Sequence, residues 1–206
     1  MTSEIHTCSD QELACQTQAG SLVAFEELVH RYGPRIYRFI ANACGNASDA
    51  RETTQDTFVR AFQAISQFDS RREFAPWLFT LARRVSIDHH RRKPPAANEP
   101  IPERLDYDDP SELLARREER RDLWELARRR LPETQFQALW LRYSEDMAVA
   151  QVAQVLRKTQ THVKVLLFRA RQTLAREITG QTCGLQTKAP ASPDHVSRFT
   201  FHVSPP

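Results

Sequence analysis

The sequence predicts an all-α fold: two small helical domains joined by a flexible linker, then a short irregular C-terminal tail. Three observations carry this. Apolar residues recur at three- and four-residue spacing through most of the chain, as in amphipathic helices, and only Arg198–Val203 alternates as a strand could. Residues Pro94–Pro110, PPAANEPIPERLDYDDP, combine proline with acidic side chains and interrupt that pattern. Beyond them, Leu131–Glu177 reads as two short amphipathic helices, a tight turn and a final helix loaded with Arg and Lys. That is the outline of a helix-turn-helix whose last helix can lie in the major groove of DNA. The expected division is 1–93 for the first domain, 94–110 for the linker, 111–179 for the second domain and 180–206 for the tail.

Asp10 is placed to cap a first short helix and Ser21 to cap the next, since a short oxygen-bearing side chain there accepts from the open N–H groups of the first turn. Along the second helix Phe25, Leu28, Val29, Tyr32, Ile36 and Ile40 recur at helical spacing, and Gly33-Pro34 is expected to kink or break it. A third helix is predicted from about Ser48 to Ile65. Phe58, Phe62 and Ile65 form its apolar face, and Asp49, Glu52 and Asp56, at i, i+3 and i+7, share a stripe on another side. After a break over Gln67–Glu73, Pro76 suits the first turn of a fourth helix, with Trp77, Leu78, Leu81 and Val85 facing inward and a basic run at its end. Ser111 opens a charge-dense helix through Arg130. In the last helix Val163, Leu167, Ala170 and Leu174 are core by their spacing. After Gly180 no helical period remains, although the tail carries an apolar patch of Val196, Phe199, Phe201 and Val203.

The chain has 206 residues, 40% of them hydrophobic and 27% charged, which fits a globular protein rather than a disordered or membrane-spanning one. No apolar run is long enough to cross a bilayer and the polar start MTSEIHTCSD is no signal peptide, so a cytoplasmic location without membrane insertion is expected. Net charge is only +3, but its distribution is uneven. Val155–Glu177 holds Arg157, Lys158, Lys164, Arg169, Arg171 and Arg176 against Glu177 alone, and Arg83–Lys93 holds five cations against Asp88. Basic stripes on a balanced chain fit phosphate contacts better than general adhesion. The cysteines, Cys8, Cys15, Cys44 and Cys183, form no C-x-x-C pair, so reduced, unpaired thiols are expected. Asp88-His89-His90 spells the metal-binding tripeptide of one phosphoesterase family, but it sits on a basic helix end without companion Asp motifs or preceding strands. Cys183, His195 and His202 match no familiar ligand spacing. No catalytic residues, no metal site and no cofactor are therefore expected, and the chain is not read as an enzyme.

The stretches AFEELVHRYGPRIYRFI, DARETTQDTFVRAFQAISQFD, FAPWLFTLARRVSIDHHRR and LPETQFQALWLRY…VAQVAQVL…THVKVLLFRARQTL resemble the extracytoplasmic-function (ECF) sigma factors, minimal members of the sigma-70 family. The resemblance covers about residues 10–93 and 111–178, in the family's order. It implies that the first domain is a sigma region 2 helical bundle and the second a sigma region 4 helix-turn-helix. It further implies binding to bacterial RNA polymerase core enzyme and promoter DNA, recognition of −10 and −35 elements, help in melting the duplex, and an anti-sigma factor as a further partner. The alternative is a stand-alone helix-turn-helix regulator binding operator DNA as a dimer, which leaves the carboxylate stripe and the aromatic loop idle.

By that resemblance Asp49, Glu52, Gln55 and Asp56 meet the polymerase, where a negative stripe suits a basic coiled-coil partner. Gln67–Trp77 matches the melting loop. Phe68, with Ala64 beneath it and Leu81 across, is expected to line a pocket for an extruded base, and Ser70, Arg71 and Arg72 to supply polar and phosphate contacts. Trp77 reads better as core. Arg84 stands where the family usually has Asn, so it is a further −10 candidate that either alters base preference or grips a phosphate. For the −35 element the candidates are Gln160, Thr161, His162, Lys164, Val165, Arg169 and Arg171. Gln suits adenine, Lys guanine and Val a thymine methyl, while Arg169 and Arg171 suit phosphates. Three residues depart from the family: Arg157 where the turn usually has Gly, Ala148 where Ser or Thr usually caps, and Leu166 where Arg is frequent.

Overall fold

The computed structural model describes residues 7–44, 46–92 and 114–184. It is all helical over these residues: α1 Asp10–Gln18, α2 Leu22–Cys44, α3 Ala47–Ala64, a 3-10 turn Ile65–Gln67, α4 Phe74–Arg92, α5 Leu114–Arg130, α6 Glu133–Tyr143, α7 Val149–Leu156 and α8 Gln160–Gly184. The expected linker, the possible strand and the tail beyond Gly184 lie outside the described residues. Helix α8 itself runs past Gly180, where the sequence pattern had suggested an end.

Ser9, not Asp10, caps α1. Its hydroxyl accepts from the Glu12 N–H at 3.3 Å while the Glu12 carboxylate accepts from the Ser9 N–H at 2.7 Å, closing a reciprocal capping box. These hydrogen bonds hold the Glu12 carboxyl below its usual range. Asp10 instead points to α2, where its carboxylate accepts from Arg31 Nη1 at 2.8 Å and from the Tyr32 hydroxyl at 2.5 Å. Burial and that carboxylate push the Tyr32 phenol up. Ser21 caps α2 as expected, accepting from the Ala24 N–H at 3.3 Å.

Helix α2 runs through Gly33-Pro34 without a break. Leu28 and Tyr32 on one side of the proline, and Ile36 and Ile40 on the other, are all buried. Packing on both flanks outweighs the roughly 3 kcal/mol that an interior proline costs. Asn46 starts α3 by accepting from the Asp49 N–H at 2.7 Å. Phe58 of α3 and Ile65 just beyond it are buried, but Phe62 remains exposed beside Phe25, 5.0 Å between ring centroids, so the apolar face is narrower than its spacing implied. In α4, Pro76 sits in the first turn, Leu78 and Val85 are buried, and Trp77 and Leu81 pack against the core half-buried.

In the second group of helices Trp124, Phe136 and Trp140 cluster, Phe136 stacked on Trp140 and Trp124 edge-on to Phe136, with Trp124 and Trp140 centroids 4.8 Å apart. Val152, Val155 and Leu156 of α7 and Val163 of α8 complete the interior. The two groups do not stand apart: α7 packs on α4, and the apolar core continues from one to the other. Polar ties also cross the seam. Arg35 of α2 pairs with Glu145 at 2.8 Å. Arg83 of α4 donates to the Gln137 carboxamide oxygen at 3.1 Å, and Gln151 of α7 donates to Glu73 at 2.5 Å.

Candidate nucleic-acid interface

The turn between α7 and α8 sets the direction of the last helix. Ala148 stands at the head of α7 without a side-chain oxygen, and half of the missing cap is supplied backwards: the Gln151 carboxamide oxygen accepts from the Ala148 N–H at 2.6 Å. At its end Arg157 adopts the left-handed conformation, φ 53°, a strained backbone for any residue that carries a side chain. The Lys158 N–H then reaches the Ala153 carbonyl at 2.9 Å, the long return bond of a Schellman ending. Thr159 opens α8, its hydroxyl accepting from the His162 N–H at 3.2 Å.

With α8 so placed, Val163, Leu167, Ala170 and Leu174 face inward, as does Leu166. Leu166 therefore fills the core at i+3 from Val163, which explains an apolar residue where a cation is usual. The outer face carries Gln160, Thr161, His162, Lys164, Val165 and Arg169, all exposed, together with Phe168 at 58% exposure. Arg171 lies at the margin, half-buried, its Nε donating to the Leu167 carbonyl at 3.3 Å. Apolar Val165 and Phe168 left in water among amides and cations form a surface able to meet base edges, methyl groups and phosphates together.

The second expected surface surrounds the start of α4. Ser70, Arg71, Arg72 and Arg84 are exposed and Ala64 half-buried. Asp69 shapes the loop: its carboxylate accepts from the Arg71 N–H at 3.1 Å and its carbonyl from the Arg72 N–H at 2.9 Å. Phe68 is packed into its corner rather than standing open. It is 5% exposed, its ring edge-on to Phe74 at 5.5 Å and tilted against Trp77 at 5.2 Å. Three aromatic rings at one corner offer more from mutual packing than any one gains by standing open.

On α3 the expected carboxylate stripe divides. Glu52, Gln55 and Asp56 are exposed, whereas Asp49 is 5% exposed and belongs to the helix start. Its carboxylate accepts from Asn46 Nδ2 at 2.7 Å and lies 3.6 Å from His89 Nε2. A first-turn acid is drawn to the helix amide ends, and here α4 covers it. A cleft of about 210 Å³ between α3 and α4 is lined by Glu52, Asp56, Arg60, Asp88 and His89, with Arg60 and Asp88 paired at 3.4 Å. Exposed Val59 and Phe62 continue the α3 face, a contribution that periodicity had assigned to the interior in the case of Phe62.

Among the described residues no group of three or more His, Cys, Asp or Glu is placed to hold a metal ion, and no helix is long and apolar enough to cross a membrane. Burial draws the Arg83 guanidinium down; Glu133 opposes that and neighbouring Arg157 adds to it. Burial also disfavours charge on Arg35, but the Glu145 carboxylate outweighs it and the guanidinium is raised.

This geometry defines a helical protein carrying a helix-turn-helix with an uncovered reading face. Comparison with known proteins narrows the class. Residues 28–94 match the family model for Sigma-70 region 2, and residues 122–174 match that for Sigma-70, region 4. The ECF RNA polymerase sigma factor BldN of Streptomyces coelicolor is 32% identical over 170 residues, covering 80% of this chain and 64% of BldN. The RNA polymerase sigma-H factor of Pseudomonas aeruginosa is 25% identical, covering 82% of this chain and 93% of that one. The solved structure of CnrH in complex with the cytosolic domain of CnrY aligns with a TM-score of 0.61 at 25% identity, over 83% of this chain and 97% of that one. The chain belongs to the sigma-70 family, among its ECF members.

Proposed function

We propose that this chain binds bacterial RNA polymerase core enzyme, directs it to promoters by recognising −10 and −35 elements, and promotes melting of the duplex. The observation that carries this reading is the uncovered face of α8, Gln160 to Arg169, on a helix whose opposite side is buried from Val163 to Leu174, in a chain that matches both sigma regions in order. In this account 1–93 and 111–179 are the two functional units. Exposed Glu52, Gln55 and Asp56 meet the polymerase, and Asp49 supports them by fixing the start of α3. Ser70, Arg71, Arg72 and Arg84 meet the −10 region, with Ala64 and Phe68 as the floor beneath. Gln160, Thr161, His162, Lys164 and Val165 read the −35 element, and Arg169 and Arg171 hold its phosphates. The polymerase carries out RNA synthesis and this chain no covalent step. An anti-sigma polypeptide is a further expected partner, in keeping with the CnrH complex, and the cytoplasm is the place of action.

Two substitutions test the assignment. Lys164→Ala is expected to lower transcription about tenfold from a promoter carrying the −35 element, the value of one base contact. Equal activity with and without that element contradicts it. Asp56→Arg reverses charge on a solvated stripe and is expected to weaken binding to core enzyme several-fold without unfolding the chain. Unchanged capture of core enzyme contradicts it.

A further inference from the structure

Helix α1 precedes the segment matched by the region 2 model, which begins at residue 28. Its last residue, Gln18, reaches across to the loop before α4. The Gln18 carboxamide nitrogen donates to the Ile65 carbonyl and to the Phe68 carbonyl, both at 2.8 Å, across 47 and 50 residues of sequence. These two carbonyls bracket the 3-10 turn, within which the Phe68 N–H donates back to the Ile65 carbonyl at 3.0 Å. One amide group, with its two hydrogens, therefore clasps both ends of the turn. Among the described residues the remaining hydrogen bonds of 68–72 are internal to the loop, made by Asp69 to Arg71 and Arg72. The helix that holds Gln18 is itself anchored at its other end, where Asp10 grips Arg31 and Tyr32 of α2. Helix α1 is thus a strut between α2 and the base of the loop.

We propose that Gln18 is a positioning residue for promoter melting. It fixes the backbone from which Phe68 turns into the aromatic corner and from which Ser70, Arg71 and Arg72 project. The proposal rests on the reading that this loop meets the −10 element. The chemistry at position 18 is specific. A glutamate there sets acceptor against acceptor, and a methionine of similar length has nothing to donate. A lysine offers three donors on a stem long enough to reach both carbonyls.

The test uses the full chain with bacterial core polymerase. It compares open-complex formation on a duplex promoter with the same promoter carrying a mismatched, pre-melted −10 element. Gln18→Met and Gln18→Glu are expected to slow opening of the duplex about tenfold, the effect of losing two neutral hydrogen bonds at a preorganised site. On the pre-melted template the loss is expected to fall to within about twofold, because the strand-separation step is already complete. Gln18→Lys is expected to restore duplex opening. Hydrogen exchange on the free chain should show faster exchange of the 69–73 amides in Gln18→Met and Gln18→Glu, but not in Gln18→Lys. Wild-type opening by Gln18→Met, an equal loss on both templates, or unchanged exchange in the loop each overturns the proposal. If instead the unsubstituted chain fails to open any promoter, the broader functional reading fails, and the exchange experiment still reports on the clasp.

Discussion

Helices α1 and α3 begin on side-chain oxygens, those of Ser9 and Asn46, whereas α6 and α7 begin on Pro132 and Ala148, which have none. The same contrast runs through the interiors. In α1–α4 directional polar contacts reach from one element to another: Asp10 to Arg31 and Tyr32, and Gln18 to the turn before α4. In α5–α8 apolar contact dominates, from the Trp124–Phe136–Trp140 cluster to Val152 and Val163, and the backbone closes its own turn at Arg157, with Gln151 and Thr159 capping the starts of α7 and α8. The difference fits the two tasks proposed for them. A helix face presented to a groove needs only a rigid body behind it. A loop presented to a strand being opened needs ties to the loop itself, because packing fixes helices far better than turns.

Breaking the apolar packing that both groups share should have the largest effect. Phe79 is fully buried and packs edge-on to Phe39 at 5.3 Å, so Phe79→Ala is expected to cost about 3–5 kcal/mol in denaturant unfolding. Because the core continues across the seam, that loss should appear as one shifted transition. A shift confined to one of two separate transitions would show that the halves stand independently. The seam comes next. Glu145 has a side chain only 3% exposed, while Arg35 remains 34% exposed, so solvent screens part of the pair. Glu145→Ala is expected to cost about 1–2 kcal/mol, since it also removes the acceptor for the Trp140 indole N–H at 3.2 Å. A double-substitution cycle with Arg35→Ala measures the coupling, and no coupling would contradict a seam held by charge. The smallest effects sharpen the contrast by reversing it. Arg157→Gly and Ala148→Ser should each stabilise the chain by about 1 kcal/mol, the first by removing left-handed strain and the second by adding a cap. A loss of stability in either would mean that the turn is satisfied as it stands.

The sequence disclosed what repeats and what departs from a pattern. The inward row of α8 was legible because four apolar residues at helical spacing admit one orientation, and Arg157 because a non-glycine at a helix ending stands out. Leu166 stood out as well, but its meaning as core came only from the direction of α8. Position along a stripe did not reveal burial: Asp49 shares the spacing of Glu52 and Asp56, yet α4 covers it, and no local pattern reports which helix lies above. Phe62 erred the opposite way, apolar by spacing and exposed in fact. Pro34 read as a break because local propensity counts the missing N–H and not the packing on either side. Gln18 left no trace, because an exposed glutamine at a helix end is ordinary until the chain returns, dozens of residues later, to place two carbonyls against it.

Transcription from defined linear promoters by core polymerase, with and without this chain, tests the account most directly. The expected result is initiation at one start site that requires the chain and falls when either the −10 or the −35 element is scrambled. Initiation that ignores both elements, or none on any template, would contradict it.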